Sequence, residues 1–128
     1  MNLSPEDRAL LARTEEVKIE TRSASGEVHR TIIWIVVDGD DVFVRSVRGA
    51  GARWYREALA SPDVSFVVDR RTTIPATVVR ADDPASIERC SAALGAKYAA
   101  DPALALMLKP DTLPTTLRVL AGAPATEP

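Results

Sequence analysis

Over Glu16–Arg22, Val17, Ile19 and Thr21 alternate with Lys18, Glu20 and Arg22, the period of a half-buried strand. Ahead of it, Ser4-Pro5-Glu6-Asp7 predicts a helix start, with Ser4 as N-cap, Pro5 in the first helical position and Asp7 in capping-box position. That helix should end near Thr14. After the turn at Ser23–Gly26, Val28–Val37 reads as the longest strand. Its uninterrupted run Ile32–Val37 predicts that both faces are covered, one by the chain's own core and the other by a helix, a ligand or a second subunit. Asp38–Asp41 predicts a hairpin loop and Val42–Val47 the returning strand. A glycine-containing loop, Arg48–Arg53, leads into a short helix at Trp54–Ala60, which Ser61-Pro62-Asp63 stops.

Val64–Val68 and Ala76–Val79 are expected to pair across Asp69–Thr73. Asp83-Pro84 opens a helix to about Ala100, with Ile87, Cys90, Leu94 and Tyr98 on one face. Asp101-Pro102 restarts a helix through Leu108, and Thr115–Leu120 forms the last strand. The expected order is α-β-β-β-α-β-β-α-α-β. About six strands with short flanking helices predict a mainly β, α+β domain, a small closed or split barrel spanning residues 1–120, with 121–128 a disordered tail.

Composition narrows the function. The 128 residues suit one domain, and 46% hydrophobic content is enough for a core. A formal charge of −2 argues against a general nucleic-acid or anionic-membrane binder, which needs surplus cations. No apolar run is long enough to span a membrane, and the acidic N-terminus does not read as a signal peptide. A cytoplasmic protein is expected. With one cysteine and one histidine, neither an internal disulfide nor a structural zinc site is expected.

Familiar catalytic constellations are missing. There is no nucleophile elbow and no Walker loop, and Gly49-Ala50-Gly51 lacks the third glycine and the βαβ setting of a dinucleotide fingerprint. His29 reads as a partly exposed strand residue, or alternatively as part of a ligand mouth. Cys90 reads as a small buried hydrophobe. Arg45 is expected mid-strand on the face of Phe43 and Val47, where a guanidinium needs an anionic or aromatic partner. Ser46 follows, and Arg48 and Arg53 bracket two glycines before a helix start. Close backbone N–H groups and the helix end suit a phosphate there, although the same residues also suit a solvated turn.

The segment SGEVHRTIIWIVVDGDDVFVRSVRGAGARWYREALASPDVSFVVD resembles the flavin/deazaflavin oxidoreductase superfamily, the split β-barrels related to pyridoxamine-phosphate oxidase. It is most similar to the branch of deazaflavin-dependent nitroreductases, within a small uncharacterised subfamily. The resemblance rests on Ser25-Gly26, Val37-Asp38-Gly39, Gly49–Gly51, Trp54-Tyr55 and Ser61-Pro62-Asp63-Val64, and extends over Ile19–Val79. It implies a cofactor ring against the long strand, flanked by Arg30, Thr31, Ile32 and Ile33. It implies a phosphate held by Arg45, Ser46, Arg48, Gly49 and Arg53, with Trp54 covering the site. Ala58-Leu59 departs from the usual Asn-Leu, and arginine stands where a loop lysine is common.

The implied activity is hydride transfer between bound FMN or the deazaflavin F420 and an unknown small substrate, in a homodimer without metal. No protein acid or base is then required, because the cofactor carries the reactive atom. The alternatives are a non-catalytic module holding a flavin, F420 or haem, and a barrel that works only through subunit contacts.

Overall fold

A computed structural model of the chain describes residues 1–122. Helix α1 spans Pro5–Ala12, with the Ser4 hydroxyl accepting from the Asp7 N–H. Strands β1 (Val17–Arg22) and β2 (Val28–Ile33) form a hairpin, with Gly26 supplying the positive φ its turn needs. Strands β3 (Val36–Asp38) and β4 (Asp41–Val44) form the next. Their two-residue turn has a positive φ at Gly39 and none at Asp40, the type II′ pattern that matches strand twist. A 3-10 turn at Gly49–Gly51 precedes helix α2 (Arg53–Ala60). Strands β5 (Asp63–Val67) and β6 (Thr73–Arg80) pair next. Helices α3 (Pro84–Lys97) and α4 (Leu104–Met107) and a 3-10 turn at Leu113–Thr115 lead to β7 (Leu117–Ala121).

The seven strands make one antiparallel sheet in the order β2-β1-β5-β6-β7-β4-β3. Its edge strands, β2 and β3, are joined by only Trp34 and Ile35. Two residues bridge roughly 10 Å at full extension, so the sheet must curl until its edges meet at that point. This is the expected split barrel, with the apolar alternation turned inward. Val17 and Ile19 of β1, Phe66 of β5, Ile74 and Val78 of β6, and Leu117 and Val119 of β7 fill it. Strand β4 is buried on both faces: Val42 and Val44 join the barrel core, while Phe43 packs with Val36, Cys90 and Leu94 beneath α3. Arg89 of α3 clamps that layer, with Nε 2.7 Å from Asp38 and Nη1 2.8 Å from Asp41.

Several boundaries differ from the sequence reading. The expected single strand Val28–Val37 is broken, which raises the strand count from six to seven. Lys97 Nζ and the Tyr98 hydroxyl both donate to the Ile35 carbonyl, at 2.6 and 3.4 Å, and Trp34 stacks on Tyr98 at 3.9 Å. Side chains from α3 thus capture backbone and ring where a ladder would have continued. The returning strand stops at Val44 rather than Val47, so Arg45 lies past the strand end. Phe43 and Arg45 turn toward α3, and Val47 is exposed. Ile32 is 59% exposed, so none of the described residues covers it on that face of β2. Helix α3 ends at Lys97 instead of Ala100, and only Leu104–Met107 of the next helix is α-helical. Ala121 remains in β7 and the Gly122 N–H donates to the Pro75 carbonyl. The remainder of the expected tail, 123–128, lies outside the described residues.

Candidate functional site

The polypeptide leaves β4 through Arg45-Ser46-Val47 and turns at Gly49, whose φ of +75° suits glycine. Two buried hydroxyls fix this turn: the Ser46 hydroxyl donates to the Gly49 carbonyl, and Thr115 Oγ1 accepts from the Ser46 N–H. Arg48 and Arg53 therefore stand on a rigid corner, with Trp54 buried in the first turn of α2.

This corner forms one wall of a cavity of about 1060 Å³. Thr31, Ile32, Ile33 and Trp34, at the end of β2, form a second wall. Asp101, Ala103, Leu106 and Met107, around α4, form a third. Glu16, Val47, Ala52 and Arg56 complete the rim. Of the candidates from the sequence, Thr31, Ile32, Ile33, Arg45, Ser46, Arg48, Arg53 and Trp54 all line this space. Gly49 sits behind the wall, where an added Cβ would lie 3.4 Å from the Asp111 carbonyl oxygen. Arg30 lies outside, its Nε 2.8 Å from Glu20.

Charge is unevenly distributed. Arg48, Arg53 and Arg56 are exposed and make no ion pair among the described residues. Arg45 is only 1% exposed. Its Nε donates to Thr116 Oγ1, Nη1 to Ser91 Oγ and the Met107 carbonyl, and Nη2 to the Ile87 carbonyl, at 3.0–3.1 Å. Burial holds its pKa below the ordinary arginine value, and its neighbour Cys90, a thiol pushed up to about 11 by burial, is uncharged at neutral pH. These bonds tie α3, α4 and the residue just before β7 together beside the cavity. Asp101 spends one carboxylate oxygen on the Ala103 N–H.

His29 does not reach the cavity. Its Nδ1 lies 2.9 and 3.1 Å from the Glu57 oxygens, and Thr21 donates to the same carboxylate. Desolvation works to raise the Glu57 pKa, but the hydrogen bonds from His29 and Thr21 hold it below the ordinary range. This cluster pins α2, and with it Arg53 and Trp54, to the β1–β2 hairpin. Among the described residues there is no group of three or more His, Cys, Asp or Glu placed to hold a metal ion.

The α4 wall and Arg56 escaped sequence reasoning, because nothing local ties Asp101–Met107 to the glycine loop. The available signal was the apolar Leu106 in a short helix, which the structure leaves 43% exposed at the cavity.

Residues 8–119 match the family model described as an uncharacterized protein conserved in bacteria, DUF2255. The chain belongs to that family. No curated protein matches this DUF2255 member. Among solved structures, it is similar to HutZ, the haem storage protein from Vibrio cholerae, with a TM-score of 0.63 and 17% identity over 96% of this chain and 92% of that one. It is also similar to a putative pyridoxamine 5′-phosphate oxidase from Listeria innocua (TM-score 0.61, 12% identity, 89% and 87% covered). An F420 reductase matches with a TM-score of 0.59 and 16% identity over 88% of each chain. At these identities the likeness establishes the fold: the DUF2255 chain is a split barrel of the pyridoxamine-phosphate-oxidase type. No helix among its described residues is long and apolar enough to cross a membrane.

Proposed function

We propose that this protein is a split-barrel oxidoreductase whose cavity holds FMN or the deazaflavin F420, on the nitroreductase-like pattern. The observation that carries the reading is convergence: the β2 wall, the glycine corner with its arginines, and Trp54 meet at one cavity of about 1060 Å³. That volume is at the upper end of small-molecule sites and accommodates a tricyclic ring with a phosphate-bearing tail. Arg48 and Arg53 would take the phosphate, since neither makes an ion pair among the described residues and guanidinium forms charge-assisted, often bidentate, bonds to it. Ile33, Trp34 and Trp54 would face the ring, and Thr31 would offer a hydroxyl to its polar edge. A flavin or deazaflavin supplies the hydride-carrying atom when bound. The chain's own work is to seat, orient and partly dry that ring. Asp101, Leu106 and Met107 would bound the space left for a small substrate.

Haem is the second reading, because structures of the same fold include a haem storage protein. Among residue types that ligate haem iron, only Met107 lines the cavity in the described chain, with His29 and Cys90 engaged elsewhere. A flavin-type ring needs no such ligand, and this favours it.

A second copy of the chain would cover Val28 and Ile32, the exposed apolar residues of edge strand β2, and narrow the cavity beside Ile32. The testing experiment titrates purified protein with FMN, F420 and haem by absorption and fluorescence, and measures mass by light scattering. Saturable binding of FMN or F420 by a dimer is expected. Saturation by haem alone overturns the reading.

A further inference from the structure

The cavity is chemically two-sided. Every cation that lines it lies in residues 45–56, at the glycine corner. The α4 side contributes Ala103, Leu106 and Met107, and its one charged group is acidic: Asp101, with one carboxylate oxygen already held by the Ala103 N–H at 2.8 Å. Val47, on the segment between β4 and the corner, is 47% exposed, and Leu106 of α4 is 43% exposed. Both line this space, and none of the described residues covers them. Met107 lines it too, with a flexible thioether that adapts to the outline of what packs on it. A single apolar side chain in water is ordinary, but two from separate elements around one hollow mark a place where something binds. The hollow is concave, which suits a small molecule.

We propose that the α4 side of the cavity is a subsite for an uncharged, hydrocarbon-rich substrate, with Val47 and Leu106 as the residues that select it. This rests on the cavity holding the cofactor proposed above, whose phosphate-bearing tail takes the cationic side and leaves the apolar side open. An anionic substrate would meet the carboxylates of Asp101 and Glu16, while the arginines that could attract it are engaged by the cofactor. A cationic one would be repelled by those same arginines. A sugar-like or peptide-like molecule would press hydroxyls and amides against Val47, Leu106 and Met107, side chains without donors or strong acceptors, and each polar group buried unpaired costs binding. A hydrocarbon body meets no such penalty and gains by covering both half-exposed side chains. Each methylene it buries should tighten binding about fourfold when fully enclosed, and about twofold where the mouth leaves it half in water. Ile32 belongs partly to the face given above to a second copy, so the subsite's own residues are Val47 and Leu106.

The test first saturates the protein with FMN or F420. The straight-chain alcohols from pentanol to octanol are then titrated in turn, with hexanoate and hexylammonium as charged counterparts of hexanol. Calorimetry gives the affinities, and isotopically labelled methyl groups of Val28, Val47, Leu106 and Met107 locate the bound molecule. The alcohols should tighten by about twofold to fourfold per methylene, and hexanol should bind more tightly than either charged counterpart. Methyl shifts should appear at Val47, Leu106 and Met107 and not at Val28 on edge strand β2. Leu106→Gln and Val47→Thr, both at exposed positions, should each weaken octanol by about threefold to fivefold. An affinity that does not rise with chain length, or a charged counterpart bound as tightly as hexanol, overturns the proposal while the cofactor reading stands. Shifts confined to Val28 overturn it in the same way and put the hydrocarbon on the β2 face. If neither FMN nor F420 saturates the protein, the cofactor reading falls and the subsite falls with it.

Discussion

Replacing Arg48 or Arg53 by alanine should weaken ligand binding without disturbing the fold. Both side chains are exposed, and neither makes an ion pair among the described residues. Their removal in the free protein should therefore change unfolding free energy by no more than about 0.5 kcal/mol. With a phosphate seated at the corner, each would make a charge-assisted contact worth about 1.5–3 kcal/mol, which is roughly ten- to over a hundredfold in dissociation constant. Partial exposure places the effect toward the lower end, and raising the salt concentration should shrink it. The assay is a fluorescence titration with FMN, beside one with riboflavin, which lacks the phosphate, and a thermal melt without ligand. Riboflavin should bind weakly and be indifferent to either substitution. Variants that bind FMN as tightly as the unmodified protein would refute the phosphate seat.

Arg45→Ala should cost about 3–5 kcal/mol in stability, because it strands the carbonyls of Ile87 and Met107 and leaves a buried void; chemical denaturation measures it. Phe43→Ala, at a fully buried position on β4, should cost a similar 3–5 kcal/mol in the same assay and loosen α3 from the sheet. Burial lowers the Lys97 pKa to about 8, below its ordinary value, so between about pH 8 and 10.5 the unfolded chain holds more of this proton than the folded one. Stability relative to Lys97→Met should therefore rise across that window, by about 1–2 kcal/mol given the partial exposure of the amine. Taking this difference cancels the opposite trend from Cys90 and Tyr98, whose raised pKa values of about 11 and about 12 make stability fall with pH. Gly49→Ala should destabilise the corner by about 1–2 kcal/mol through its positive φ, and weaken FMN binding with it.

The elements that could be read in advance are those set by local chemistry. Ser4 caps the helix it was expected to cap, Asp83-Pro84 opens its helix, and Asp38-Gly39 makes its hairpin, because the partners lie within a few residues. Strand alternation and turn spacing pointed to a small closed or split barrel, and the family resemblance implied the split form. The break at Trp34-Ile35 was hidden because its cause, Lys97 and Tyr98, lies more than 60 residues away along the chain. Local propensity favoured strand there, and a distant ammonium and hydroxyl overrode it. Arg45 shows the same limit. That a guanidinium so placed needs partners was legible, but the acceptors it found, on Ile87, Ser91, Met107 and Thr116, belong to elements whose packing the alternation pattern does not specify. The β2 and glycine-corner walls of the cavity were visible as one stretch of sequence, whereas the α4 wall is brought in by tertiary packing alone.

The central claim is that this cavity seats a flavin-type ring and its phosphate, and a backbone amide map during titration tests it most directly. With isotopically labelled protein and increasing FMN or F420, shifts should concentrate at Thr31–Trp34, at Arg45–Trp54 and at Asp101–Met107, the three walls that line the cavity. The turn between β5 and β6, Asp69–Thr72, should stay unchanged. Shifts confined to that turn and the adjoining groove along Lys18 and Val67, or no saturable shifts with either cofactor, would contradict the account.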